Sequence, residues 1–355
     1  MKKIAILTLP FDTNYGWILQ LWALYHILCT KGYDVTILNR KWNEKKPSLL
    51  KNCLRFVYYN SFAYTFAKFM QTKMEISPVF RTTAELCEYV KEKRFDVVIV
   101  GSDQVWRIEH TRGADLNYFL DFVNVENTKR IAYAASFGTD IWQGTEKETA
   151  LVNKYLSDFT LVSVREDSGV SLCKNTFGLL AHHVLDPTML LTEKDYSALF
   201  RKHACNNNSI ATYILNSSEW KESVIKKIQE MYHLDKVVSL YPHKHSRYHF
   251  YSSISHWLSS IESSKYVIID SFHGMVFSVL FHRQFVVIAN PRRGLTRFTS
   301  FLKQLNLSNR MVTEGEEVES VLEKLNKPIN YKEVDSILTN LRKYSLELLL
   351  KSIEE

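Results

Sequence analysis

Cysteine is scarce and scattered: Cys29, Cys53, Cys87, Cys173 and Cys205 are five in 355 residues, and no Cys-x-x-Cys pair occurs. A disulfide framework and a zinc knuckle are therefore not indicated, and a reducing cytoplasm suits the chain best. No Gly-x-Gly-x-x-Gly follows the first apolar run and no Gly-x-x-x-x-Gly-Lys-Ser/Thr is present, which removes support for dinucleotide and P-loop sites. His-Glu-x-x-His is also absent. His182 and His183 are adjacent, so a strand would point them to opposite faces, and His243 and His245 flank Lys244 in a predicted loop, which suits solvated histidines; no metal is predicted. The Met1-Lys2-Lys3 start lacks the apolar region of a signal peptide, and no apolar run is long enough to span a bilayer. Short repeats and low-complexity tracts are missing as well.

What is present reads as a globular chain, with 46% hydrophobic and 23% charged residues. Its length exceeds the size at which single cores stop growing, so two domains are expected. A formal charge of +7 favours anionic partners in general without choosing among them.

Strand-like and helix-like periods alternate along the chain. Ile4 to Leu9 reads as a strand, Trp17 to Thr30 as a helix ended by Gly32, and Val35 to Leu38 as the next strand. Phe95 to Val100, Arg130 to Ala135 and Leu161 to Val164 are further short apolar runs with polar tips. The second half repeats the theme with strands at Ser209 to Leu215, Val237 to Leu240, Tyr266 to Asp270 and Phe285 to Ala289. Helices are expected through Trp220 to Tyr232, near Ser255 to Ser263, and through Phe281. The expected class is α/β, with two Rossmann-like domains at 1–195 and 205–330 and a C-terminal helix at 331–355. The boundary is placed across Leu191 to Asn208, near the polar run Asn206-Asn207-Asn208. Val334, Ile337, Leu338, Leu341 and Leu348 give the last helix one apolar face, suited to packing on either domain.

Chemistry is expected where apolar runs stop. Tyr266-Val267-Ile268-Ile269 delivers Asp270-Ser271-Phe272-His273-Gly274 to a strand tip, as open parallel sheets do when they build ligand sites. Leu7-Thr8-Leu9-Pro10 leads likewise to Asp12-Thr13-Asn14-Tyr15-Gly16, and Val97-Val98-Ile99-Val100 to Gly101-Ser102-Asp103-Gln104. Matching tips in two halves suggest a cleft between them. Residues 51–74 mix Phe56, Tyr58, Tyr59, Phe62, Tyr64, Phe66 and Phe69 with basic residues; a helix against the sheet is the plainer expectation, peripheral membrane contact the other.

Taken in order, Thr13-Asn14-Tyr15-Gly16 with Gln20, Val100 through Trp106, Ala134-Ala135-Ser136-Phe137-Gly138, Ser163-Val164-Arg165-Glu166, Leu185-Asp186-Pro187-Thr188 and Asp270 through Gly274 resemble the polysaccharide pyruvyl transferase family. The resemblance runs from about Ile4 to about Leu307. It implies a GT-B-like fold of two Rossmann-like domains. It also implies transfer of pyruvate from phosphoenolpyruvate onto two sugar hydroxyls as a cyclic ketal, in the synthesis of a capsule or exopolysaccharide. Phosphoenolpyruvate is then a co-substrate, with no further cofactor. The expected partner is a glycan or lipid-linked oligosaccharide, not nucleic acid, and the expected place is the cytoplasm, at the inner membrane face for a lipid-linked acceptor.

The reaction needs an acid/base group and fixed cations. His273 is the expected acid/base group, with Ser271 and Asp103 beside it in the catalytic set. Backbone donors near Gly274 and Met275, at a helix start, suit a phosphate. The better-studied branch of the family carries an arginine two residues before the motif histidine, where Ser271 stands here. Arg165, Arg292, Arg293 and Arg297 are the candidate replacements; a solvated loop is the alternative for Arg292 and Arg293, and an ion pair with Glu166 or Asp167 for Arg165. Asn14, Tyr15, Gln20, Gln104 and Trp106, with Trp17, are candidates for the acceptor sugar, although Asn14 is equally suited to cap a helix. Asp186 reads as a turn residue rather than a base. A nucleotide-sugar glycosyltransferase and a non-catalytic binding protein are the competing classes.

Overall fold

The computed structural model describes residues 1–43, 64–200, 208–241, 251–289 and 295–355. Arg292, Arg293, His243, Lys244, His245, Asn206, Asn207, Cys53, Cys205 and the 51–63 part of the aromatic segment lie outside them. The described chain falls into two units. Unit 1 comprises residues 1–43, 70–190 and 339–355, and unit 2 comprises 64–69, 191–200, 208–241, 251–289 and 295–338.

Unit 1 is built on a seven-stranded sheet: β1 (Lys3–Leu7), β2 (Asp34–Arg40), β3 (Ile76–Phe80), β4 (Val97–Val100), β5 (Lys129–Ala135), β6 (Phe159–Val164) and β7 (His182–His183). The spatial order is β3-β2-β1-β4-β5-β6-β7, and every pairing is parallel. Parallel strands are covered on both faces, which is why β4 reads Val-Val-Ile-Val and is buried throughout. The order reverses between β1 and β4, where Leu7 pairs with Val100. In doubly wound sheets that reversal opens the crevice in which ligands bind.

Helices cover the sheet. α1 (Tyr15–Thr30) carries apolar residues nearly all round and is buried over most of its length, as its continuous Leu/Trp/Ile content requires. α2 (Tyr64–Lys73) has Phe66 and Met70 buried and Tyr64 exposed. α3 (Thr83–Lys93) and α4 (Glu146–Leu156) each open on a reciprocal capping box, Thr82 with Glu85 and Thr145 with Glu148. α5 (Asp167–Phe177) ends on Gly178, whose φ of +68° is the left-handed conformation that stops a helix.

Unit 2 holds a five-stranded sheet: β8 (Ser209–Tyr213), β9 (Lys236–Ser239), β10 (Tyr266–Ile269), β11 (Gln284–Ala289) and β12 (Met311–Thr313). Its order, β12-β11-β10-β8-β9, is again all parallel and reverses between β8 and β10. α6 (Glu219–Met231), α7 (Ile254–Ser263), α8 (Phe272–Leu280) and α9 (Leu295–Gln304) connect the strands, and α10 (Val318–Asn326) follows the last of them. α11 (Tyr331–Glu354) starts in unit 2 and ends in unit 1. Its last turn is secured within unit 1, where Lys2 Nζ and Lys129 Nζ donate to the Ile353 carbonyl at 2.7 and 3.2 Å and Tyr33 donates to Glu354 at 2.6 Å. Two ammonium groups on the carbonyls of a helix C-terminus offset its partial negative charge. The buried face of α11 uses Val334, Leu338, Leu349 and Ile353; Leu349, not the expected Leu348, is the fully buried one.

No helix among the described residues is long and apolar enough to cross a membrane.

Gly101, at the tip of β4, has a φ of +136°, and a Cβ there would stand 2.0 Å from the Tyr133 carbonyl oxygen of β5. Backbone cannot yield as a side-chain end can. Gly101→Ala is expected to destabilise the protein by ~2 kcal/mol or more in urea denaturation, whereas an unchanged midpoint would show that the tip tolerates a side chain.

Candidate functional site

At the switch point of unit 1 the first turn of α1 is fixed by Asn14, whose side-chain oxygen accepts from the Gly16 and Trp17 amides at 2.9 and 3.2 Å. This is N-capping, the plainer of its two expected roles. Tyr15 is fully buried. Gln20 is fully buried too, and its amide spans the switch point: Oε1 accepts from the Ser102 amide at 3.2 Å and Nε2 donates to Thr8 Oγ1 at 3.5 Å. Gln20 thus ties the β1 tip to the β4 tip instead of facing a ligand. Trp106 is likewise core, with its indole N–H on the Tyr118 carbonyl and its ring stacked on Phe119. Gln104 accepts from Arg107 at 3.1 Å.

Asp103 is the exception. It adopts a left-handed φ of +72°, a conformation few non-glycine residues hold without support. That support is visible: its carbonyl accepts from the Ser136 amide at 3.0 Å, and its carboxylate receives Arg165 at 3.2 Å. Arg165 also donates to Asp186 at 2.8 Å and has Glu166 at 4.0 Å, with its side chain only 1% exposed. Burial works against the guanidinium charge, but the carboxylates of Asp186, Asp103 and Glu166 outweigh it and raise the Arg165 pKa. Asp186 is engaged further by Ser102 Oγ at 3.3 Å and by the Thr188 amide and hydroxyl at 3.0 and 2.6 Å. Glu166 holds the next tip, accepting from Ser136 Oγ, the Phe137 amide and the Gly138 amide at 2.8, 3.0 and 3.3 Å. The sequence raised an ion pair for Arg165 with Glu166 or Asp167; the close partners are Asp186 and Asp103, which lie far away in sequence.

A cavity of about 480 Å³ opens beside these tips, and both Asn14 and Asp103 line it. Phe11, Asp12, Trp42 and His110 line it as well and were not singled out as site residues. Trp42 sits just past the end of β2, so the rule that strand tips carry function would have found it; His110 carries no comparable signal. The two adjacent histidines have separate partners, His182 with the Tyr344 hydroxyl and His183 with the Arg165 carbonyl; burial lowers the His183 pKa.

In unit 2 the switch point is organised by Asp270. This fully buried carboxylate accepts from the Leu215 amide at 2.7 Å, the Asn216 amide at 3.1 Å and Lys221 Nζ at 2.9 Å. It locks the β8–α6 turn to the β10 tip. Lys221 lies in a charged amphipathic helix, and nothing in its sequence context distinguishes it from solvated neighbours. Ser271, next along, is the N-cap of α8 and accepts from the Gly274 amide at 3.3 Å. The expectation that the Gly274 and Met275 amides bind phosphate needs correction: the first is taken by Ser271 Oγ and the second donates to the Ser271 carbonyl at 3.1 Å. Glycine at 274 serves packing, since a Cβ would lie 3.0 Å from Ile269 and 3.3 Å from Tyr213.

His273 follows in the first turn of α8. Its ring meets the edge of Phe272 at 5.2 Å between centroids, and the Arg297 guanidinium lies 5.8 Å from the same Phe272 ring centre. Phe272 also contacts Phe298 and Phe301 of α9, which is what brings Arg297 to the β10 tip. An imidazole and a guanidinium from separate elements thus share one aromatic side chain. A second cavity, about 800 Å³, is lined by residues of β8, α6 and β9, and no predicted site residue lines it.

Removing one partner from the buried Arg165 cluster leaves an uncompensated charge in a low-dielectric site. Arg165→Met and Asp186→Asn are each expected to cost about 3–5 kcal/mol in equilibrium unfolding. A loss below about 1 kcal/mol, the range of exposed pairs, would contradict the assignment.

No curated protein matches the chain. Solved structures share its fold at low identity. S. aureus MnaA, in a co-structure with UDP, superposes with a TM-score of 0.57 at 12% identity, covering 100% of this chain and 98% of that one. UDP-GlcNAc 2-epimerase from Neisseria meningitidis, bound to UDP-GlcNAc, gives 0.55 at 11% identity over 99% and 100% of the two chains. The corresponding epimerase from Methanocaldococcus jannaschii gives 0.53 at 11% identity over 97% and 100%. These likenesses establish a GT-B-type α/β fold. The sequence profile of the polysaccharide pyruvyl transferase family matches residues 14–292, from the N-cap of α1 to beyond β11, and the chain belongs to that family.

Proposed function

We propose that the protein transfers pyruvate from phosphoenolpyruvate onto two hydroxyls of a sugar, forming a cyclic ketal during cell-surface polysaccharide synthesis. The observation that carries this reading is the pairing of His273 and Arg297 on Phe272 at the switch point of unit 2. Phosphoenolpyruvate is a small trianion with an enol carbon that must be protonated. A site for it needs a fixed cation and a proton donor within a few ångströms of each other.

The bookkeeping of atoms assigns the roles. His273 delivers a proton to C3, turning the methylene into a methyl and leaving an oxocarbenium-like C2. A sugar hydroxyl adds to C2 and loses its proton; the C2–O bond to phosphate then breaks and a second hydroxyl closes the ring. Of the two hydroxyl protons, one balances the proton gained by C3 and the other leaves with phosphate. Arg297 neutralises the donor anion, the duty for which no arginine stands at position 271; Ser271 instead caps α8 and fixes the turn that presents His273. Asp103, which lines the unit 1 cavity and is held by Arg165, is the further catalytic group of this proposal. An acceptor on a lipid carrier would place the reaction at the inner face of the membrane.

Purified protein, phosphoenolpyruvate and a panel of glycans should release phosphate and add one carboxyethylidene group to a glycan. His273→Ala is expected to lower this rate ~100-fold or more with the fold intact by circular dichroism. Arg297→Ala should raise KM for phosphoenolpyruvate more than it lowers kcat. Because the proton donor and the cation that meets the donor anion are side chains in this scheme, excess chelator should leave the rate unchanged. Nucleoside diphosphate release from a sugar nucleotide, with phosphoenolpyruvate untouched, would replace this reading with glycosyl transfer.

A further inference from the structure

We infer that the 480 Å³ cavity at the tips of β1 and β4 is a subsite for one uncharged pyranose ring, and that its carboxylates exclude uronic acids and other anionic sugars. The inference deepens the proposed function by naming the acceptor class. It rests on that reading only in calling the bound sugar an acceptor.

Size and wall chemistry agree. The volume falls within the range of roughly 300–1,000 Å³ common to small-ligand sites. Three aromatic residues line it: Phe11 and Trp17, whose rings are 5.4 Å apart and tilted by 58°, and Trp42, held edge-on against Tyr118 at 6.4 Å. Aromatic faces at varied angles suit the C–H surface of a pyranose. The indole N–H of Trp17 is buried with no acceptor among the described residues.

Charge selects within the sugars. Asp12 and Asp103 are the carboxyl side chains of the lining, beside the imidazole of His110, and carboxylates only accept hydrogen bonds, so they call for hydroxyl or amide donors. Arg165 does not reverse the sign, since it is buried and surrounded by Asp103, Asp186 and Glu166: one guanidinium among three carboxylates. Lys41 lies over the Phe11 ring at 4.9 Å but does not line the cavity. A sugar carboxylate placed here would meet like charge at short range in a partly desolvated site.

Saturation-transfer NMR on the full chain, without phosphoenolpyruvate, tests this with methyl glucoside, methyl galactoside, methyl mannoside, methyl N-acetylglucosaminide and methyl glucuronide. At least one neutral glycoside should bind saturably, with the glucuronide roughly tenfold weaker or worse. Trp42→Ala should weaken the neutral ligand about tenfold. Asp12→Lys, at an exposed residue that leaves the core untouched, should strengthen glucuronide binding. Absence of saturable binding by every neutral glycoside, equal binding of the glucuronide, or indifference to both substitutions would overturn the inference. Phosphoenolpyruvate turnover measured separately tells this failure from failure of the proposed reaction.

Discussion

One buried guanidinium sets the geometry of unit 1. Arg165 leaves the end of β6 and is clamped by Asp186, after β7, and by Asp103, after β4, so three strand tips are joined through a single side chain. Ion pairs of this kind contribute little net stability over an apolar core, because desolvation offsets much of the attraction. Their value is positional. Asp103 sits in a left-handed conformation at the mouth of a cavity, and the arginine holds its carboxylate there. Unit 2 uses the same device with smaller parts, Lys221 on Asp270, to fix the turn beside α8.

Each switch point therefore has two layers. Below lie groups whose hydrogen bonds are consumed within the protein: Gln20, Ser102, Arg165, Asp186 and Glu166 in unit 1, and Asp270, Lys221 and Ser271 in unit 2. Above them stand Asp103 with its aromatic neighbours, and His273 with Arg297 on Phe272. A family motif records both layers without telling them apart. Gln20 and Trp106 belong to the motif because they hold the tips in place, and neither has surface to offer a sugar.

The alternation of strands and helices was legible because buried parallel strands are written as continuous apolar runs, and β4 and β10 could hardly be read otherwise. β3 was not, since Pro78 interrupts a strand at the sheet edge, where a missing amide is tolerated. β7 and β12 are two and three residues long, too short for any period to show. At the site, the tips ending in Asp103 and His273 were legible from the abrupt change of polarity. The partners were not: Arg165 with Asp186, Lys221 with Asp270, and Phe272 with Arg297 are contacts made by the fold across 21, 49 and 25 residues respectively. Local sequence carries no trace of them. The Gly274 and Met275 amides misled for a related reason, because a serine placed before a helix can spend on capping the donors a ligand would need.

The central claim is that protonation of an enol carbon accompanies ketal formation on a sugar. Running the reaction with phosphoenolpyruvate in deuterated water and analysing the glycan by mass spectrometry tests it most directly. The account predicts a new carboxyethylidene group bearing a single deuterium in its methyl. A glycan gaining a hexose instead, or a pyruvyl group whose methyl carries no solvent deuterium, would contradict it.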